Sequence, residues 1–169
     1  MKRVLNAFIR YLILIIIAIP NLWIFYKIFT PLTIYPVFFL LSLFYKAELI
    51  KNIIIIQDIS IALIPACIAG SAYYLLTILN LSIPEIKINK RIKMLLFGFV
   101  LLLILNILRI VLLSIFAINN SNLFNIAHLF FWYFLSTLFV AGIWFLEITI
   151  FKIKQIPFYS DIKYILSKK

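Results

Sequence analysis

Apolar residues run along this chain in long blocks separated by short polar interruptions. Residues 5–27, 31–47, 66–81, 94–116 and about 126–150 are each apolar enough to cross a bilayer, or nearly so. The clearest breaks are SIPEIKINKRIK at 82–93 and AINNSNLFN at 117–125. This pattern predicts an all-α polytopic membrane bundle with five or six transmembrane helices, one integral membrane domain over residues 1–169. Pro20 and Pro36 are the expected kinks. The segment NIIIIQDISIALIP at 52–65 admits two readings. As a short span it gives six helices with both termini inside. As a short extracytoplasmic β-hairpin before Cys67, turning at Gln57-Asp58, it leaves five helices and an N-terminus of undetermined side. The isoleucine run 53–56 and the alternation Ile59-Ser60-Ile61-Ala62-Leu63 favour strands, and Asp58 suits a turn better than mid-membrane.

Composition agrees with a membrane protein. Of 169 residues 66% are hydrophobic and 12% charged, more apolar surface than one soluble core uses. The start, MKRVLNAFIRYLILIIIAIP, resembles a signal peptide. It continues NLWIFYKIF without a small-residue cleavage site, so a retained first helix is expected. The formal charge of +11 would suit nucleic acid, but the basic residues sit in short clusters between apolar runs. That is the positive-inside pattern of membrane topology, and no nucleic-acid partner is expected.

The basic clusters orient the chain. Lys87, Lys90, Arg91 and Lys93 place the 82–93 loop on the cytoplasmic side. The helix read at 66–81 then begins outside, at Pro65-Ala66-Cys67. The run 94–116 carries Arg109 toward the outer end. The last span re-enters with Asn125 as N-cap and His128 in its first turn, and ends inside at Lys152 and Lys154. Cys67, Arg109 and His128 thus share the outer leaflet. They are the chain's one cysteine, its one histidine and its one arginine beyond residue 92.

Ionisable groups inside a bilayer are expensive and usually functional. A thiol, a guanidinium and an imidazole at one depth fit acyl transfer by a cysteine nucleophile. Cys67 at a helix start is the nucleophile, Arg109 stabilises the thiolate or oxyanion, and His128 is the general acid/base. Each residue also has a plain structural reading: a packed cysteine, an interfacial arginine anchor, and a histidine at the membrane surface. Glu147 is expected to pair with nearby lysines. Asn119-Asn120-Ser121 matches a glycosylation sequon, and Tyr73, Tyr74 and Trp132 can line a groove or sit at the interface. No metal cluster, phosphate loop or serine-nucleophile motif is present, so neither a metal nor a cofactor is expected. A single cysteine excludes an intramolecular disulfide.

Pro65-Ala66-Cys67 followed by Gly70-Ser71, then Asn106-Ile107-Leu108-Arg109-Ile110, then Ala127-His128, resemble in order and spacing the exosortase/archaeosortase family of membrane cysteine transpeptidases, over about residues 50–150. The chain looks like a small member. It departs from the common pattern, in which Ser or Thr and then Gly follow the cysteine, because Ile68-Ala69 intervene before Gly70. The resemblance implies cleavage of C-terminal transmembrane sorting signals of surface proteins, with transfer of the new C-terminus to a lipid or other acceptor. It implies the same roles for Cys67, Arg109 and His128, and a multi-pass protein of the cell membrane, in contact with membrane lipids, whose active site faces outside. Two rivals remain open: a non-enzymatic membrane scaffold or assembly protein, and a small transporter subunit using Arg109 to attract an anion.

Overall fold

The structure, a computed structural model, describes residues 2–119, 123–131, 136–155 and 157. Its elements run α1 (Lys2–Ala18), α2 (Trp23–Ser42), β1 (Ala47–Ile50), β2 (Ile53–Ile56), β3 (Ile59–Ala62), α3 (Pro65–Ile68), α4 (Gly70–Leu81), α5 (Ile88–Ile118), α6 (Leu123–Phe130) and α7 (Ser136–Ile150).

This overturns the expected bundle of five or six spans. Among the described residues two helices are long and apolar enough to cross a membrane: α2, with 20 residues and mean hydropathy 1.6, and α5, with 31 residues and mean hydropathy 2.8. The other apolar blocks are cut shorter. Pro20 ends α1 instead of kinking it, and Asn21 and Leu22 turn the chain at positive φ (49° and 59°) before α2 begins. Pro31 and Pro36 lie inside α2, which runs through the expected gap between the first two blocks. The block at 66–81 is divided at Ala69, whose φ of 61° ends α3 after one turn. The 12 residues of α4 then rise only about 18 Å, well short of a hydrocarbon core of about 30 Å. The last block is described as α6 and α7, with residues 132–135 outside the described part.

Residues 52–65 are not a span. The turn at Gln57-Asp58 is present, and β1 adds a strand the hairpin reading lacked, giving an antiparallel sheet in the order β1-β2-β3. Both links are two-residue loops, closed by the pairs Ile50↔Ile53 and Ile56↔Ile59. Lys51 and Gln57 take positive φ, 57° and 54°, at the first loop position. Ile54 and Ile56 point into the core, so the isoleucine run has one buried face.

The helices are held by a few polar ties across an apolar interior. Arg10 donates to Leu81 O, and the Tyr74 hydroxyl donates to Leu14 O, so α1 and α4 run antiparallel. Tyr73 stacks on Phe29 with ring centroids 3.6 Å apart, and Phe25 and Phe99 complete that aromatic cluster. Tyr73 and Tyr74 are therefore packing residues and not groove walls; Trp132 lies outside the described residues. Glu147 is fully buried and accepts a hydrogen bond from the Asn80 amide at 2.7 Å, instead of pairing with a lysine. Its carboxylate lies against Gly98 of α5, where any Cβ would run into Oε1.

The central helix, α5, is arranged with its polar side inward. Arg91, Asn106, Arg109 and Ser114 are buried, whereas Ile92, Leu96, Val100, Ile104, Leu108 and Leu112 form an i, i+4 stripe, each 46–58% exposed.

Candidate functional site

The site is built where β3, α3, α5 and α6 meet. Leaving β3, the chain passes Leu63 and Ile64 and enters α3 with Pro65 at its first turn, where the missing N–H is no loss. Cys67 sits in that turn, half-buried, with its N–H donating to Ile64 O at 2.8 Å. Left-handed Ala69 then redirects the chain into α4. Gly70 lets the Tyr26 ring of α2 press against the break, since a Cβ there would fall 2.7 Å from the ring. The thiol therefore sits on a single turn braced from below, and not at the head of a long helix.

Arg109 and Asn106 reach this turn from the buried face of α5. The Asn106 amide donates to the carbonyl oxygen of Cys67 at 2.9 Å, and Arg109 Nη2 donates to the same oxygen at 3.3 Å. Arg109 is 8% exposed and Asn106 2% exposed, so both donors are aimed inside the protein. His128 comes from α6, where its ring stacks on Phe124 with centroids 5.7 Å apart. It lies in the last turn of α6 and not in the first turn of the final helix. Asn125 is inside α6 and not at its N-cap position. The sequon residues Asn120 and Ser121 lie outside the described residues.

All three residues nonetheless line one cavity of about 250 Å³. Its walls are Ile59 to Leu63 from the strand side, Arg109, Ile110, Leu113, Ser114 and Ala117 from α5, and Phe124, His128 and Phe131 from the α6 side. Cys67, Arg109 and His128 are far apart in sequence, and the fold brings them to a single hollow. Two contributors had no role assigned from the sequence. Asn106 shares with Arg109 the carbonyl it holds, and its signal was an asparagine one turn before the arginine on the same helix face. Phe124 sets the plane of the imidazole, and nothing in the sequence marked it among seventeen phenylalanines.

Chemically, the arrangement offers a nucleophile, a group able to carry a proton, and a fixed positive charge in a largely apolar hollow. There a charge-assisted hydrogen bond is stronger than in water. Among the described residues no cluster of His, Cys, Asp and Glu fits a metal ion. No family model matches the chain, and neither a curated protein nor a solved structure matches it.

Proposed function

We propose that this chain is a membrane-embedded cysteine transpeptidase or protease that cleaves C-terminal sorting signals of surface proteins. The observation that carries the reading is the convergence of the only cysteine, the only histidine and a buried arginine on one cavity. The Cys67 thiolate attacks the scissile carbonyl carbon, and Arg109 stabilises the oxyanion that forms. The C–N bond breaks, and the leaving amine takes a proton from His128, giving a thioester at Cys67. An acceptor amine, a lipid hydroxyl or water, deprotonated by His128, then attacks the thioester and releases the thiolate. No metal or cofactor takes part in this scheme.

The membrane placement rests on α5. A row of isoleucine, leucine and valine exposed along a helix, with arginine and asparagine on the opposite buried face, suits lipid and not water. Lys87 and Lys90 at the start of α5 gather with Lys152 and Lys154 around one cavity. The positive-inside rule puts that end in the cytoplasm. Arg109 lies 21 residues beyond Ile88, the first residue of α5, a rise of about 30 Å, which is the thickness of a hydrocarbon core. The candidate site then faces outside, with α2 and α5 as the crossing helices and α1, α4 and α7 packed beside them. Arg10, bonded at the Leu81 end of α4, supports an N-terminal helix that starts on the cytoplasmic side.

The test is mass spectrometry of C-terminal peptides of membrane and surface proteins, comparing cells with the native chain and cells with Cys67→Ala. The reading expects proteins that keep a hydrophobic C-terminal tail only in the mutant. An unchanged profile, with the mutant expressed and folded, would instead support the scaffold reading.

A further inference from the structure

Among the described residues the strand that precedes the thiol has a free edge, and its hydrogen-bonding pattern faces a definite way. In the order β1-β2-β3 the last strand pairs, among those residues, with β2 alone. Its ladder starts at the loop-closing pair Ile56↔Ile59, and in a two-residue hairpin that pair exchanges both backbone bonds. Bonded and non-bonded pairs then alternate. Ile59 and Ile61 spend their backbone groups on β2, and Leu63 continues the series by donating to Asn52 O at 2.8 Å. Ser60 and Ala62, opposite Ile55 and Ile53, therefore turn their N–H and C=O groups away from the sheet. All five residues from Ile59 to Leu63 line the cavity that holds Cys67.

We propose that the substrate enters as an extended segment that pairs with Ser60 and Ala62 as a fourth strand, delivering its scissile carbonyl to Cys67. This rests on the transpeptidase reading and adds how the substrate is held. A helical substrate would have its backbone donors and acceptors already spent, whereas an extended one presents two of each in the same period as the free edge. Such pairing holds the main chain and leaves selectivity to alternate side chains. Only Leu63, Ile64, Pro65 and Ala66 separate the strand from the nucleophile, so register on β3 sets which carbonyl reaches it. Ser60 and Ala62 have exposed side chains and offer little steric selection of their own.

The experiment replaces the two outward N–H groups, using the double variant Ser60→Pro, Ala62→Pro. Proline is tolerated on an edge strand where its N–H is not part of the ladder. Losing two hydrogen bonds should cut processing, read from the C-terminal peptide profile, by about tenfold or more. Alkylation of Cys67 by iodoacetamide and thermal unfolding in detergent should stay native. If those two readouts show that the double variant is unfolded, cross-linking decides. Single cysteines are placed along a substrate found in that profile and oxidised against Ala62→Cys in a Cys67→Ala background. Cross-links at every second substrate residue support the fourth strand. A period of three to four residues, or no cross-link, overturns it, as does native processing by a folded double variant. If Cys67→Ala itself leaves every C-terminal tail unchanged, the transpeptidase reading fails and takes the strand with it.

Discussion

Two buried arginines on the same face of α5, about five turns apart, stand in different surroundings. Arg91 donates to Asn80 O in the last turn of α4 and to Ile83 O just beyond it. Arg10 adds a third such bond to Leu81 O, and the Asn80 amide reaches on to Glu147. At that end cations close a helix terminus inside an apolar bundle. Arg109 also holds a backbone carbonyl, that of Cys67, but Asn106 holds the same oxygen more closely. The turn is thus already secured by a neutral amide, while the guanidinium lines a cavity with a thiol and an imidazole. Burial of an arginine does not by itself mark function. The difference lies in whether an open hollow and a reactive group stand beside it.

The comparison can be broken by substitution at each end. The largest effect is expected from Arg109→Ala, which should lower processing by about 10²–10³-fold, the usual cost of losing an oxyanion donor, with unfolding temperature nearly unchanged. A large loss of stability with activity per folded molecule preserved would make Arg109 a second Arg91. Arg91→Ala should behave in the reverse way. Removing two charge-assisted bonds should destabilise by about 2–3 kcal/mol, while the folded fraction still processes substrate. Denaturation in detergent followed by assay of the surviving protein separates the two quantities. Gly98→Ala is next. Its new methyl meets the Glu147 carboxylate where α5 and α7 touch, and overpacking there should cost about 1–3 kcal/mol. A native melting profile would show that Glu147 moves aside freely. Asn106→Ala should have the smallest effect on stability, about 1 kcal/mol. It should also slow processing, because the Cys67 turn would rest on the longer Arg109 bond; an unchanged rate would remove Asn106 from the site.

What the sequence reveals here depends on the range of the physics. Local counting from a basic loop predicted one level for Cys67, Arg109 and His128, and the three do line one cavity, although the helix bounds used in the count did not hold. The turn at Gln57-Asp58 was readable for the same reason, because an isoleucine run and an alternating run flanked a short polar pair. Helix length was not. Hydropathy reports that a block avoids water but not where its backbone breaks, and in Ala66-Cys67-Ile68-Ala69-Gly70 nothing announces a left-handed alanine. The expected five or six spans failed at that break, at Pro20, and at Ser42, where α2 ends short of its apolar block and β1 (Ala47–Ile50) follows. Glu147 misled because its neighbours in sequence are not its neighbours in space. The lysines a few residues on lie beyond the helix end, whereas Asn80 comes from another helix. Asn106 stood in the motif with Arg109 but without a role, because a polar residue inside a span looks like a packing detail until its partner is seen.

The central claim is that Cys67 forms a thioester with the substrate carbonyl, and hydroxylamine tests it most directly. Membranes containing the native chain and its substrates are supplied with hydroxylamine, and the new C-termini are analysed by mass spectrometry. The account predicts C-terminal hydroxamates with the native chain and none with Cys67→Ala. Hydroxamates that persist in the mutant, or cleaved C-termini that never carry one, would contradict it.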